Sequence, residues 1–218
     1  MFFESLPPAV TAEFEQLGGR RRYGVGEALF LEGDRAGEVL LLLSGAVKIS
    51  VGSVEGREVI LDVLEPGSLI GELSAIDGEP RSATVIALSP VEVLAVAAES
   101  FNGFLDRHPD VLRRLLLEVI RRLRVRVRHQ LEFGAGDALG RICARLAELA
   151  GRYGEPEEDG AVVIRSPVSQ SELAAWTGLS REAVVKALRA LRQLGWIENR
   201  GRRIIIRDGE NVRDRATR

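Results

Sequence analysis

The residues best suited to do chemistry lie in one short segment, residues 71–83, which reads GELSAIDGEPRSA. Arg81 can hold phosphate oxygens through two parallel charge-assisted hydrogen bonds, and Ser82 can add a hydroxyl donor. Glu72 can accept a hydrogen bond from a sugar hydroxyl, and Gly71 lets the backbone approach a ligand closely. We therefore predict a ribose-phosphate site in this segment, which we call the cassette. Its predicted binding residues are Gly71, Glu72, Leu73, Arg81, Ser82 and Ala83.

The cassette alone does not establish a site, because an acid, an arginine and a serine beside a hairpin also occur together by chance. A single helical turn over residues 69–75 would add free backbone N–H donors for the anion. The elements predicted around the cassette decide between a surface turn and a binding site.

The composition argues against a membrane protein, a metalloprotein and an enzyme. The chain has 218 residues, enough for two domains, and it lacks an apolar run that could span a membrane, so we expect a cytoplasmic protein. The single cysteine, Cys143, cannot form an internal disulfide or hold an iron–sulfur cluster alone, and its neighbours predict a buried helical position. His108 and His129 are too few for a zinc site or histidine-based catalysis. We therefore expect no metal and no enzymatic activity.

Charge divides the chain into an acidic half and a basic half. Residues 1–110 carry 8 Lys or Arg against 18 Asp or Glu, whereas the remainder carries 22 against 14. A basic half is the electrostatic footprint of a domain that binds a polyanion, although a solvated helix face would give part of the excess. The C-terminal half is therefore the candidate for nucleic-acid binding.

The N-terminal half, residues 1–109, predicts an antiparallel β-roll. Between residues 23 and 97, short apolar runs alternate with glycines at turn positions. The main β-branched runs are residues 39–43, 46–51, 59–64 and 91–96. A closed roll has an interior, and the cassette would lie along it. A cupin-type metalloenzyme also uses a roll, but it would need clustered histidine ligands that this sequence lacks.

A long helix is predicted over residues 110–133, with apolar residues three or four apart on one side. The predicted seam consists of Leu112, Leu116, Val119, Leu123 and Val127. The helix would be about 35 Å long, more than the roll alone can cover. We therefore predict that it packs against the same helix of a second copy, so that the protein is a homodimer.

A glycine-rich break at residues 134–137 is predicted to end the helix and to act as a hinge. Gly134 and Gly136 supply backbone freedom, and Asp137 can cap the next helix, predicted over residues 138–150. The polar segment YGEPEEDG that follows has turn chemistry and is predicted to be a mobile loop.

The C-terminal domain, residues 138–218, carries a helix–turn–helix pattern. Ser169 and Glu172 have capping-box spacing at the start of a short helix. A three-residue turn follows, and Ser180 at its end caps a second helix. The apolar stripe predicted to face the core comprises Val184, Ala187, Leu188, Leu191 and Leu194.

The other face of the second helix suits the major groove of DNA. Arginine can pair with both acceptors of guanine, glutamate can accept from cytosine, and lysine can contact guanine or a phosphate. A hairpin over residues 196–206 would form a wing beside the backbone phosphates. The predicted DNA-binding residues are Ser169, Gln170, Ser180, Arg181, Glu182, Lys186, Arg189, Arg200 and Arg202. A winged helix that binds a protein is the alternative for this region.

The order of these elements, the cassette, and the segment VSQSELAAWTGLSREAVVKALRAL resemble the cyclic-AMP receptor protein and FNR family of bacterial transcription regulators. The resemblance covers nearly the whole chain. It implies an α+β fold with a cyclic-nucleotide-binding β-roll, a long dimerisation helix and a C-terminal winged helix–turn–helix. It also implies that Glu72 contacts the ribose, that Arg81 and Ser82 contact the cyclic phosphate, and that Arg122 pairs with Glu72.

At the DNA, the resemblance implies that Ser180 contacts a backbone phosphate while Arg181, Glu182 and Lys186 reach base edges. Lys186 stands where the cyclic-AMP receptor protein has arginine, and we expect a different half-site preference because lysine cannot reproduce the arginine fork. Double-stranded DNA, a second copy of the chain and RNA polymerase are the implied partners.

The effector site departs from the family pattern on the long helix. Arg126 and Val127 stand where the cyclic-AMP receptor protein presents threonine and serine to the adenine, and Val127 cannot make a side-chain hydrogen bond. Both are predicted members of the ligand site, which suits a sugar phosphate but leaves the base open. Cyclic AMP is the first expectation. The cysteine count excludes an iron–sulfur sensor, and we expect no haem because neither histidine lies in the roll.

The resulting prediction is a dimeric DNA-binding transcription regulator under allosteric control by a ligand in the roll, which shifts the hinge between two arrangements. Two alternatives stay open. One keeps the DNA-binding role with another effector or none, and the other is a cyclic-nucleotide regulatory subunit that acts on a protein partner.

Overall fold

The computed structural model describes residues 6–52, 58–135, 137–157, 159–164, 168–200 and 203–216, and for residues 125–135 the description covers the backbone alone. The chain divides into two compact units, Met1–Arg126 and Val127–Arg218. Among the described helices, none is both long and apolar enough to cross a membrane.

The first unit is built from two antiparallel sheets and the helices that pack on them. Its strands are β1 (Gly18–Tyr23), β2 (Ala28–Phe30), β3 (Glu38–Ser44), β4 (Val47–Gly52), β5 (Glu58–Leu64), β6 (Leu69–Ile70), β7 (Thr84–Ala87) and β8 (Val91–Ala97). Its helices are α1 (Pro8–Glu15), α2 (Glu72–Asp77), α3 (Ala98–Arg107) and the start of α4 (Pro109–Ala135). The strand orders are β1-β8-β3-β6 and β2-β7-β4-β5, so the predicted antiparallel roll is confirmed.

Strand β3 separates the two cores of this unit, because successive side chains of a strand point to opposite faces. Leu40 belongs to the cluster between the two sheets. Val39 and Leu41 belong instead to the cluster that contains Phe14 of α1 and Phe104 of α3. The rings of Phe14 and Phe104 meet edge to face, with their centroids 5.1 Å apart. This sheet is therefore covered on both faces, and the β6–α2 connection that carries the cassette starts from its edge.

Helix α4 has one anchored side and one open side. Val111 and Leu115 are buried in the core of the first unit. In contrast, Leu112, Leu116 and Leu123 of the predicted seam are 44%, 56% and 59% exposed. These three seam residues are therefore largely uncovered by the described part of their own unit, whereas Val119 is half-buried and the side chain of Val127 lies outside the described residues.

The end of α4 differs from the sequence prediction. The helix continues to Ala135, so Gly134 and Ala135 are helical rather than part of a break. A glycine near the end of a long helix costs it only about 1 kcal/mol relative to alanine, which the rest of the helix can offset. Gly136 lies outside the described residues. Asp137 caps the next helix as predicted, since its side chain accepts a hydrogen bond from the Gly140 N–H at 2.8 Å.

The second unit combines four helices and a four-stranded antiparallel sheet within its described residues. The helices that follow α4 are α5 (Ala138–Tyr153), α6 (Gln170–Thr177), α7 (Arg181–Gln193) and α8 (Gly209–Ala216). The strands are β9 (Gly154–Pro156), β10 (Val162–Ile164), β11 (Ile197–Arg200) and β12 (Arg203–Ile206), in the order β11-β12-β10-β9. The predicted helix–turn–helix and wing correspond to α6, α7, β11 and β12.

Three features of the second unit correct the sequence prediction. The helix predicted to end at residue 150 continues to Tyr153, and the predicted mobile loop contains β9, which pairs with β10. Gly154 permits the tight turn out of α5, because a Cβ there would lie 2.1 Å from the Ala150 carbonyl oxygen. Leu194, assigned to the buried stripe, is 54% exposed because it is the C-cap residue of α7. The burial predicted for Cys143 is confirmed, and burial raises the pKa of its thiol to about 11.

Candidate ligand site and nucleic-acid interface

A cavity of about 300 Å³ lies in the first unit, and the cassette forms one of its walls. All six predicted cassette residues line it, together with Arg122 of α4. Apolar side chains, among them Ile49, Leu61 and Leu123, line much of the remainder. A mostly apolar cavity of this volume with a few polar groups on one wall is typical of a small-molecule site.

Gly71 brings the two ends of the cassette together. It follows β6 and is the N-cap of α2, with a left-handed φ of 81° that favours glycine. A Cβ at this position would lie 2.3 Å from Arg81 Nη1 and 2.9 Å from Phe30 Cε2. The helical turn expected over residues 69–75 starts later, at Glu72, because Leu69 and Ile70 are paired with β3.

Arg81 is a buried cation anchored to backbone. Its Nη1 donates to the Gly71 carbonyl oxygen at 2.9 Å, and its Nη2 donates to the Glu38 carbonyl oxygen at 2.6 Å. The guanidinium carbon lies 3.6 Å from the centre of the Phe30 ring. Nε is buried and has no hydrogen-bond partner among the described residues. Two backbone carbonyls therefore hold the fork of Arg81. Three of its five N–H donors make no hydrogen bond within the described residues.

Arg81 remains a cation in spite of its burial. Burial lowers the pKa of the Arg81 guanidinium, and the negative charges of Glu38, Asp34 and Glu72 oppose that shift. An arginine stays charged in spite of such a shift. A buried cation with an unpartnered N–H loses hydration on folding, and a bound phosphate would compensate that loss.

Glu72 and Arg122 form an ion pair at the cavity. Arg122 Nη1 donates to Glu72 Oε1 at 3.1 Å, as the resemblance implied. The Glu72 side chain is 7% exposed and the Arg122 side chain 20%. Arg122 Nε also lies 3.6 Å from Oε1 of Glu118, one turn earlier on α4. The pair therefore links the cassette to the long helix and places a carboxylate where a sugar hydroxyl could donate to it.

Of the other predicted ligand residues, two line the cavity and two have side chains outside the described part of the chain. Ser82 is exposed and Ala83 half-buried, and both line the cavity. The side chains of Arg126 and Val127 lie outside the described residues. Over the part of the chain that is described, no cluster of three or more His, Cys, Asp or Glu side chains could hold a metal ion.

The helix–turn–helix of the second unit is fixed by caps at both helix starts. Ser169 Oγ accepts from the Glu172 N–H at 3.3 Å, while Glu172 Oε2 accepts from the Ser169 N–H at 2.7 Å, which confirms the capping box. Ser180 Oγ accepts from the Ala183 N–H at 3.2 Å. In both caps the hydroxyl oxygen is the acceptor. The Ser169 hydroxyl hydrogen can therefore still donate to a phosphate, whereas the Ser180 hydroxyl also hydrogen-bonds the Glu182 carboxylate. Gln170 is exposed in the first turn of α6.

Helix α7 has a buried face and an exposed charged face. Val184, Ala187, Leu188 and Leu191 are buried. The exposed charged residues at the predicted reading positions are Arg181, Glu182, Lys186 and Arg189. The pKa of the Glu182 carboxyl is lowered by its own backbone N–H, the Ser180 hydroxyl and the positive charge of Arg181. Glu182 is therefore an ionised acceptor on an otherwise basic face.

The wing arginine Arg200 is paired with acids. Its Nη1 lies 3.4 Å from Glu157 Oε1, and its Nε lies 3.5 Å from Glu198 Oε1. Such exposed pairs contribute at most about 1 kcal/mol, so a DNA phosphate could replace them. Arg202 lies outside the described residues. The sequence motif did not reveal Glu157 as a partner, because the pairing joins segments that are distant in sequence.

Part of the ligand site could not be predicted from the sequence. Phe30 and the Glu38 carbonyl hold Arg81 in place, yet they come from β2 and β3, about 50 and 40 residues before it. Neither belongs to a recognisable spacing pattern. The apolar cavity residues Ile49 and Leu61 likewise read as ordinary strand residues.

Two family models match the chain, one within each of its two compact units. Residues 20–108 match the family model of the cyclic nucleotide-binding domain, and residues 140–215 match that of the Crp-like helix-turn-helix domain. The chain is 29% identical over 214 residues to the CRP-like cAMP-activated global transcriptional regulator of Mycobacterium tuberculosis (strain ATCC 25618 / H37Rv). That alignment covers 98% of this chain and 95% of the relative.

Solved structures share the fold. FixK2 from Bradyrhizobium japonicum has a TM-score of 0.79 at 23% identity, covering 90% of this chain and 96% of its own. The c-di-GMP responsive global regulator CLP from Xanthomonas campestris has a TM-score of 0.79 at 24% identity, covering 92% of this chain and 99% of its own.

Together, the cavity, the helix–turn–helix and the matched domains define a DNA-binding transcription regulator with a cyclic-nucleotide-binding domain, not an enzyme. The chain belongs to the cyclic-AMP receptor protein and FNR family of transcription regulators.

Proposed function

We propose that this protein is a homodimeric, sequence-specific transcription regulator whose DNA affinity is controlled by a cyclic nucleotide in the cavity. The observation that carries the proposal is the buried Arg81, which has an unpartnered Nε and lines a cavity that the Glu72–Arg122 pair also lines. In this proposal Arg81 and Ser82 bind the cyclic phosphate, and Glu72 accepts from the ribose 2′-hydroxyl. Gly71, Leu73 and Ala83 complete the wall of the site.

Cyclic AMP is the first candidate effector, because the Mycobacterium tuberculosis relative is named as cAMP-activated. The fold does not choose the nucleotide, since the Xanthomonas campestris structure with the same fold is described as c-di-GMP responsive. Arg126 and Val127 are proposed to meet the base, and they offer no counterpart to a threonine–serine pair. A different effector is therefore the second candidate.

Arg81→Lys tests the phosphate contact. Lysine keeps the charge but cannot hold both backbone carbonyls and the phosphate, so we expect cyclic AMP to bind about 10- to 100-fold more weakly. Calorimetric titration with cyclic AMP, cyclic GMP and c-di-GMP measures this loss and identifies the effector. Arg35→Lys is the matched control, because Arg35 is an exposed arginine of the same unit. Equal affinities of Arg81→Lys and the unmodified protein would refute this role for Arg81.

The regulatory step is proposed to be a shift between two arrangements of residues 134–137, where α4 ends and α5 begins. In one arrangement the two recognition helices of the dimer would lie about 34 Å apart and meet successive major grooves. The DNA affinity should therefore change between the nucleotide-free and the nucleotide-saturated protein. An affinity that stays the same with every nucleotide tested would contradict allosteric control while leaving DNA binding intact.

At the DNA, we propose that α7 enters the major groove, with Arg181, Glu182 and Lys186 at base edges and Arg189 beside them. Ser169, Gln170 and Ser180 would contact backbone phosphates, as would Arg200 and Arg202 of the wing. Support comes from the exposed charged face of α7 and from the capped starts of α6 and α7. RNA polymerase is a further proposed partner. A regulatory subunit that binds a protein instead would enrich a partner in a pull-down and show no preferred DNA sequence.

Arg181→Ala is expected to weaken specific DNA binding by roughly 1 to 3 kcal/mol and to relax the preference at one base pair, because arginine can pair with both acceptors of guanine. Binding-site selection with the variant measures both effects. Arg192→Ala is the control, since Arg192 is exposed in the last turn of the same helix. A uniform loss over all sequences would show that Arg181 contacts phosphate rather than a base.

A further inference from the structure

One apolar side chain interrupts the charged face of α7. Val185 is 48% exposed, and it follows Arg181 by one helical turn and precedes Arg189 by another. At 100° per residue, Val185 lies inside the arc that also holds Glu182 and Lys186. It therefore stands within the proposed DNA-reading surface and not at its rim.

An exposed valine does not stabilise α7 in the absence of DNA. Its branched Cβ lowers helix propensity, and its methyl groups remain in water. In the described residues of the second unit, Leu194 has comparable exposure, but it stands at the end of α7. An apolar contact made on DNA binding would account for Val185 where core packing does not, because Val184 next to it is the buried residue.

The major groove offers one purely apolar group, the C5 methyl of thymine. Valine has two methyl groups and no polar side-chain atom, so it can match that methyl and cannot satisfy a polar base edge. Its short side chain reaches a base that lies close to the helix, whereas Arg181 and Lys186 reach further. We propose that Val185 contacts a thymine methyl and selects a T·A pair at one position of each half-site. This inference rests on the proposed placement of α7 in the major groove.

The test replaces thymine with uracil, which removes the C5 methyl alone. A binding site is first selected from random DNA with the full chain, both without nucleotide and with cyclic AMP. Each thymine of the selected half-site is then replaced in turn. We expect one position, repeated by symmetry, where uracil weakens binding about three- to fivefold per half-site, as for the loss of one buried methyl group. Val185→Ala should weaken binding to the unmodified site similarly and remove its sensitivity to uracil at that position.

Leu194→Ala is the matched control, because it shortens an exposed apolar side chain of the same helix and should leave the uracil response unchanged. Val185→Ala is expected to fold, since alanine raises helix propensity at an exposed position, and circular dichroism checks this. The inference is wrong if no thymine distinguishes Val185→Ala from the unmodified protein; a base preference that depends on Arg181 would then leave the proposed function standing. If no sequence is selected in either condition, the proposed function fails and the inference fails with it.

Discussion

Leu116→Glu is expected to convert the protein to a monomer and to weaken its binding to a two-half-site DNA by about 100-fold or more. Leu116 is 56% exposed on the open side of α4, in line with Leu112 and Leu123. A glutamate there would place like charges opposite each other in the proposed dimer seam. The loss in DNA affinity is large because the two subunits are then no longer linked. In a dimer, binding of one subunit raises the effective concentration of the other at the second half-site, which strengthens binding by roughly 10² to 10⁴.

Leu117→Glu is the matched control for this change. Leu117 is also a leucine of α4, and its 52% exposure is nearly that of Leu116. It lies 100° further around the helix and so faces away from the seam. Light scattering should give a mass of about twice 23.8 kDa for Leu117→Glu and about 23.8 kDa for Leu116→Glu. A Leu116→Glu protein that still dimerises would place the dimer contact elsewhere, and a monomer that keeps full DNA affinity would remove the need for a dimer.

The regular elements could be predicted from the sequence because their patterns are local. Glycine-punctuated apolar runs predicted β3, β4, β5 and β8 within one or two residues, and cap residues predicted the starts of α6 and α7. The predictions failed where tertiary contacts decide. Strand β9 is made of residues typical of a loop and exists because β10 pairs with it.

The ligand site shows the same limit at atomic scale. The types of the cassette residues indicated an anion site, and the Arg122–Glu72 pair followed from the family resemblance. The orientation of Arg81 could not be predicted, because it depends on the Glu38 carbonyl and the Phe30 ring, which no spacing within the cassette encodes. The sequence thus indicated which groups the site contains, while the distant strands determine which of their hydrogen bonds are already made.

Gly71→Ala is expected to destabilise the first unit by roughly 3 kcal/mol and to abolish nucleotide binding. The left-handed φ of 81° costs a residue with a Cβ about 1 to 2 kcal/mol. The new Cβ would also lie 2.3 Å from Arg81 Nη1, so the guanidinium must leave the Gly71 carbonyl, and a lost charge-assisted hydrogen bond costs about 1.5 to 3 kcal/mol. Phe30 blocks the alternative of a shift to its side, because its ring carbon would lie 2.9 Å from the same Cβ.

Gly78→Ala separates the two contributions. Gly78 ends α2 with a similar φ of 76°, but a Cβ there would meet nothing within 4 Å. This variant should lose only the backbone contribution, about 1 to 2 kcal/mol, and should keep its nucleotide affinity. Denaturant unfolding followed by far-UV circular dichroism measures both losses. Tryptophan fluorescence serves as an internal reference, because Trp176 and Trp196 both lie in the second unit and their transition should not move. Equal losses for Gly71→Ala and Gly78→Ala would mean that Arg81 can relocate freely, and the anchored guanidinium would then not be what forms the phosphate site.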